Sequence, residues 1–307
     1  MTKQKVIIIG SGMVGASAAF ALGLRESIEE IILIDINEKL AWGQAADIND
    51  ALGHSDSVRV RQGTYSDISD DDIVVITSGA PQKPDQSRLE LLDSNAKIMR
   101  DVVSQVMEGG VKPFLLIVAN PVDALTYVAL KASGLPRSRV FGTGTTLDTY
   151  RLRVELANQL NVSPSEVEAY VLGEHGDSSF VAIESAQIGD IPLDHYPGFR
   201  PEMIKAIDES VRGRVYKIIE AKGSTYFAIG SVVAQITEAI LHDSAHIYPV
   251  CSLVDGEYGL HDVVLGLPSS VSSQGVKIIN GYELPAHDRH ALEKSAEIVK
   301  AAISSLT

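Results

Sequence analysis

Near its N-terminus the chain reads VIIIGSGMVG: the apolar, β-branched run Val6–Ile9 meets Gly10, Gly12 and Gly15 within six residues. Few folds accept that arrangement. An extended strand has to turn at once into a helix, with no side chain on the turn to obstruct what approaches it. Ala16–Leu24 supplies a helical pattern, and a second apolar run, Ile31–Ile34, ends in Asp35, 20 residues after Gly15. Strand, glycine turn, helix, strand and acid at these spacings predict a dinucleotide-binding unit.

Each part has a physical task. Gly10 permits the tight turn, Gly12 admits a pyrophosphate to the backbone, and Gly15 lets helix and strand pack closely. Met13 and Val14 lie between these glycines and join the candidate cofactor contacts. Unpaired N–H groups at the helix start favour an anion. Asp35 can accept hydrogen bonds from ribose hydroxyls and would repel a 2′-phosphate, so NAD is expected rather than NADP.

The pattern continues. Val58–Val60, Ile73–Thr77, Phe114–Val118 and Val140–Phe141 read as further short strands. Unbroken apolar strands separated by helices predict an α/β fold whose parallel sheet is covered on both faces. Leu89, Leu92, Ala96, Met99, Val103 and Val106 recur at steps of three and four and predict one long helix. Before it, SGAPQKPDQS carries two prolines and reads as a loop. Ligands of such sheets sit beyond the carboxyl ends of the strands. The unusual residues fall there repeatedly: the glycine turn, then Thr77, Gly79 and Ala80, then Asn120-Pro121. Helical periodicity returns at Tyr150–Leu160, Val211–Ile219 and Leu292–Leu306, and a boundary between halves is expected near Gly142–Gly144.

Net charge of −14 argues against non-specific affinity for nucleic acid or an anionic membrane. The lone Cys251 cannot form an internal disulfide, which suits a reducing compartment, and a buried structural role is expected for it. No apolar stretch reaches membrane-spanning length, and the opening apolar run is too short for a signal peptide, so a cytoplasmic protein is expected.

Reduction of a carbonyl by a nicotinamide also needs a proton, which histidine supplies near neutral pH. Of eight histidines, His175 in GEHGDSSF is the best candidate, because glycines on both sides permit close backbone approach. Other patterns are weaker. Tyr127 and Lys131 match the Tyr-x-x-x-Lys pair of short-chain dehydrogenases, but they sit in an amphipathic stretch, VDALTYVALK, and the glycine spacing differs from that family's. His242 and His246 stand one helical turn apart without a third ligand, so no metal site is expected.

GSGMVG, SGAPQKPDQSR, ANPVD, GTTLDTYRLR, GEHGD and KGSTYFAIG, in that order over nearly the whole chain, resemble the lactate/malate dehydrogenase family. The resemblance implies a Rossmann dinucleotide-binding domain over 1–142, with a mobile substrate loop at about 79–93, and an α+β substrate domain over 143–307. It implies that His175 is the acid/base, Asp148 its carboxylate partner, and Arg151 the guanidinium that grips the substrate carboxylate. Arg88 would polarise the carbonyl as the loop closes, and Asn120 would bond near the reacting oxygen, after a cis Asn120–Pro121 peptide. Ile229 would flank the nicotinamide.

Gln82 stands where the family contacts the substituent on C3. An arginine there would pair a second carboxylate, as in the malate-type members; glutamine resembles the lactate-type members, as does Thr225, which would flank a methyl group. Burying an unpaired carboxylate beside Gln82 would cost several kcal/mol, by order of magnitude. The expectation is therefore pyruvate and L-lactate, with malate or another 2-hydroxy acid as the alternative substrate, in a homotetramer or a dimer. Arg153 matches an arginine that binds fructose 1,6-bisphosphate in bacterial members, but Glu168 replaces the accompanying histidine. Alternatives from other classes are a non-catalytic NAD-binding sensor, which would need no proton donor, and an NAD-dependent glycosidase, which would need a metal site.

Overall fold

The computed structural model describes residues 5–25, 28–53, 58–80 and 88–306, with Arg88 described in its backbone only. In chain order the first half comprises β1 (Lys5–Ile9), α1 (Met13–Gly23), β2 (Glu30–Ile34), α2 (Glu38–Ala51), β3 (Arg59–Gln62), β4 (Ile73–Ile76), α3 (Arg88–Met107), β5 (Phe114–Ile117), α4 (Val122–Ser133) and β6 (Val140–Gly142). The remainder comprises α5 (Thr146–Leu160), β7 (Val167–Leu172), β8 (Phe180–Ile188), β9 (Ile191–Pro192), α6 (Met203–Lys222), α7 (Phe227–Leu241), β10 (His246–Tyr248), β11 (Cys251–Val254), β12 (Val263–Gly266), β13 (Ser269–Ser272), β14 (Gly275–Ile278) and α8 (Ala286–Ser304).

The central sheet runs β12-β11-β6-β5-β4-β1-β2-β3. From β6 to β3 every pairing is parallel. Pleating sends successive side chains to opposite faces, so an unbroken apolar strand serves two cores at once. Ile7 and Ile9 belong to the core that α3, α4 and α8 also line; Val6 and Ile8 belong to the one lined by α1, α2 and α7. The run of β-branched residues at the N-terminus is thereby explained.

The sheet departs from the expected all-parallel form at one edge. The β11–β12 hairpin adds two antiparallel strands beyond β6. It covers an edge that would otherwise present unpaired backbone groups. Two smaller antiparallel sheets, β7-β8-β9 and β10-β13-β14, complete the second half. A third core lies between the β7–β8 hairpin, α5 and α6. Helix α1 starts at Met13, three residues earlier than its apolar pattern suggests, and Met13 is exposed. Helix α3 starts at Arg88, so residues 88–93 of the substrate loop expected at about 79–93 are helical.

Candidate active site

The glycine turn leaves β1 where α1 begins, and two of its glycines are fixed by contact. Gly10 has φ +103°, and a Cβ there would stand 2.6 Å from the Thr77 hydroxyl. A Cβ on Gly15 would come within 1.9 Å of the Gly10 carbonyl oxygen. Gly12 differs: nothing lies within 4 Å of its Cβ position. The first two thus serve the packing of turn, helix and strand, and the third leaves the backbone open to a ligand. Thr77 closes the arrangement by donating its hydroxyl to the Gly10 carbonyl at 2.9 Å.

The Asp35 carboxylate, at the end of β2, accepts from Ser11 N at 2.6 Å and Asn37 N at 2.8 Å. Each oxygen keeps further lone-pair capacity for a hydroxyl. The hydroxyls of Ser11 and Ser78 are buried without a hydrogen-bond partner among the described residues. Orphaned donors, an open glycine and an acid along one strand edge are what a polar ligand with phosphate and ribose groups would satisfy. The residues present therefore fit a dinucleotide.

Gly79 and Ala80 follow β4 on the same edge. Asn95 of α3, which the sequence reading did not single out, ties them down: its Oδ1 accepts from Ala80 N at 2.7 Å, and its Nδ2 donates to the Asn120 carbonyl at 2.8 Å. One buried amide thus spans two loops. The Asn120–Pro121 peptide is cis.

Beyond this edge lies a cavity of about 280 Å³. Val14, Asn120, Asp148, Arg151, His175, Thr225 and Ile229 all line it. Segments as far apart as α1 and α7 converge there. Gln82 and the Arg88 side chain fall outside the described residues.

His175 sits on the turn after β7. Its Nδ1 lies 2.6 Å from Asp148 Oδ2, and Arg151 Nη1 donates to Asp148 Oδ1 at 2.9 Å. Asp148 and Arg151 occupy the first two turns of α5, three residues apart and so on one face. Thr149 locks α5 to β7 by accepting from Val171 N at 2.9 Å, which sets the distance between helix and histidine. An ionised Asp148 can only accept, so Nδ1 carries the hydrogen and Nε2 is left to meet a ligand.

Burial works against ionisation of Asp148, but His175 and then Arg151 overcome it and hold its carboxyl below the usual range. Burial likewise opposes charge on His175, yet Asp148 outweighs it and raises the imidazole to about 9. The direction favours a charged imidazole near neutral pH, on a side chain that is 28% exposed and lines the cavity. The turn is pinned elsewhere as well. Asp123 accepts from His175 N at 2.8 Å, and Ser295 accepts from Glu174 N at 2.7 Å. Helix α6 closes one wall with Val211, Val215 and Tyr216. Its Arg212 pairs with Asp208 and donates to the Asp177 carbonyl at 2.9 Å. Periodicity gave the helix but could not show which way it faces.

The competing motif has a structural explanation. Tyr127 and Lys131 both bind Asp262, at 3.0 and 3.3 Å, where that residue turns with φ +48°. Neither lines the cavity. Cys251 is free and buried, as expected. Among the described residues, no helix is long and apolar enough to cross a membrane.

A dinucleotide-ready sheet edge facing a charged imidazole and a buried guanidinium defines a nicotinamide-dependent oxidoreductase. Residues 4–142 match the lactate/malate dehydrogenase NAD-binding domain, and residues 145–307 match the alpha/beta C-terminal domain of the same enzymes. The chain belongs to the lactate/malate dehydrogenase family. It is 42% identical over 311 residues to the L-lactate dehydrogenase of Lactococcus lactis subsp. cremoris (strain NZ9000), covering 100% of this chain and 99% of that one. Its fold is similar to the ligands-bound minor L-lactate dehydrogenase of Enterococcus mundtii, with TM-score 0.97, 38% identity and coverage of 100% and 99%. The malate dehydrogenase of Salinibacter ruber is also similar, with TM-score 0.91, 34% identity and coverage of 98% and 97%.

Proposed function

We propose that the chain interconverts pyruvate and L-lactate with NAD, His175 giving and taking the proton. The observation that carries this reading is the single carboxylate of Asp148, hydrogen-bonded to His175 on one side and to Arg151 on the other. A 2-oxo acid has the matching pair of groups on adjacent carbons: a carboxylate for the guanidinium and a carbonyl for the imidazole. Both side chains open on one cavity, which also holds Val14 and Ile229 from the cofactor side.

The glycine turn, Asp35, Thr77, Gly79 and Ala80 would hold the dinucleotide, which supplies a hydride when bound. The protein's own contribution is orientation and charge. Arg151 grips the carboxylate through paired, charge-assisted hydrogen bonds. His175 donates from Nε2 as negative charge builds on the carbonyl oxygen, and Asp148 stabilises the imidazolium beforehand. Arg88 and Asn120 would add donors to that oxygen in a closed, water-poor site. Exposed Phe20 on α1, Leu24 just after it and Trp42 on α2 leave apolar surface for further copies, in keeping with a homotetramer.

The substrate is tested by loss of NADH absorbance with pyruvate and oxaloacetate side by side. Pyruvate should be favoured in kcat/KM by about 100-fold or more, the penalty for burying an unpaired carboxylate. Gln82→Arg should move the preference toward oxaloacetate. A wild-type preference for oxaloacetate refutes the lactate assignment.

Regulation is tested separately. Arg153 donates to the Ala169 carbonyl at 3.1 Å and stacks 5.3 Å from the Tyr170 ring, and Glu168 is exposed on β7 beside them. An acid at that position repels phosphate. Titration with fructose 1,6-bisphosphate should change the pyruvate KM little; strong activation contradicts this reading of Glu168.

A further inference from the structure

Asp123 is the last residue of the ANPVD motif and lies in the first turn of α4, just after the Asn120–Pro121 peptide. Its side chain is 3% exposed. One oxygen, Oδ2, accepts the backbone N–H of His175 at 2.8 Å. The other, Oδ1, is buried and meets no nitrogen or oxygen donor among the described residues, the Cys251 thiol being the weak hydrogen-bonding neighbour of the carboxyl. Proton transfer from His175 Nε2 does not itself involve this carboxyl. A buried carboxyl that leaves one oxygen unsatisfied costs stability unless something compensates.

We propose that Asp123 is a positioning residue for His175, holding the histidine's backbone and lending it a second negative charge that widens toward alkaline pH the range of pyruvate reduction. This rests on His175 being the proton donor.

Charged groups reach Asp123 and His175 from several elements, with Glu174 opposing charge on Asp123 and Arg151 opposing charge on His175. His175 and Glu174 face it from the turn after β7, Cys251 faces it from β11, and Asp148 and Arg151 act on the same imidazole from α5. Thr126, on its own helix, meets the Cys251 thiol at 3.7 Å. Burial pushes the Asp123 carboxyl up, the His175 N–H and then the His175 charge pull it part of the way back, and the balance leaves it at about 7. Asp123 in turn stands next after Asp148 among the groups that raise His175. Burial first, and Asp123 second, push the Cys251 thiol well above its ordinary range, so the thiol stays a neutral neighbour. Acid and imidazole titrate together, and their apparent constants belong to the pair.

The sign follows. As pH rises past neutrality Asp123 ionises, and its charge makes loss of the His175 proton harder. With asparagine the amide oxygen can still accept the His175 N–H, but the charge is gone. The alkaline limb of kcat/KM for pyruvate in Asp123→Asn should therefore move to lower pH by about one unit. Asp123→Ala loses the acceptor as well and should lower plateau kcat below that of Asp123→Asn. A purely structural role would depress the plateau and leave the limb in place. An unmoved limb in Asp123→Asn, or equal plateaus in the two variants, overturns the proposal.

Should neither variant fold, the wild-type enzyme decides. Titration of ring-labelled histidine by NMR should show a second, smaller inflection of His175 near neutral pH, and a single sigmoid overturns the proposal. That titration needs no turnover. Absence of pyruvate reduction in the wild-type enzyme would count against the proposed function alone.

Discussion

His175→Ala should lower pyruvate-dependent oxidation of NADH by about two to four orders of magnitude and leave NADH affinity near the wild-type value. The size is that of a positioned general acid. The selectivity follows from the architecture. His175 stands on the turn after β7, whereas the glycine turn, Asp35 and Thr77 stand at the carboxyl ends of β1, β2 and β4. Alanine keeps the backbone N–H that Asp123 accepts, so the turn retains its anchor. It also leaves Asp148 beside Arg151, a stable ion pair without the imidazole. The measurement is single-turnover NADH oxidation together with NADH fluorescence titration. Near-normal turnover removes His175 from the mechanism, and a lost NADH site means that the variant is misfolded.

The second large effect falls on substrate. Arg151→Lys should reduce kcat/KM for pyruvate by about a hundredfold or more, the loss of roughly 3 kcal/mol of charge-assisted hydrogen bonding. Lysine keeps the charge but offers a point donor in place of a planar fork. The carboxylate then binds with its carbonyl misaimed at His175, so KM rises and kcat falls together. Arg151 is 8% exposed and lines the cavity, which leaves little room for water to take over the lost bonds. An unchanged kcat/KM in steady-state assays would dismiss Arg151 as the carboxylate anchor.

How far these roles could be seen in the sequence varied with the range of the interaction. The glycine turn and Asp35 were legible because strand, turn and helix are contiguous, and Gly10 and Gly15 answer local steric demands while Gly12 keeps the turn open. The apolar strands were legible because both of their faces are buried. His175 could be nominated from its flanking glycines, but its link to Asp148 and Arg151 needed the family resemblance. Those residues are 27 and 24 positions away, and nothing local records that α5 packs on β7. Asn95 and Asp123 were missed for the same reason. Each looks like an ordinary polar residue of a helix, and its work is done across a loop from another element. The early start of α1 escaped because its first turn faces the ligand edge, so Met13 lacks the apolar periodicity that marks a buried helix. The β11–β12 hairpin was hidden as well, since four-residue apolar runs such as VVLG do not say which sheet they join or in which direction.

The shared carboxylate of Asp148 has an energetic corollary. Arg151 is the neighbour that opposes charge on His175. An incoming anion that settles on this guanidinium neutralises the opposition, so the imidazole holds its hydrogen more firmly once the cavity is filled. Anion entry and proton uptake would then be one linked equilibrium, each strengthening the other.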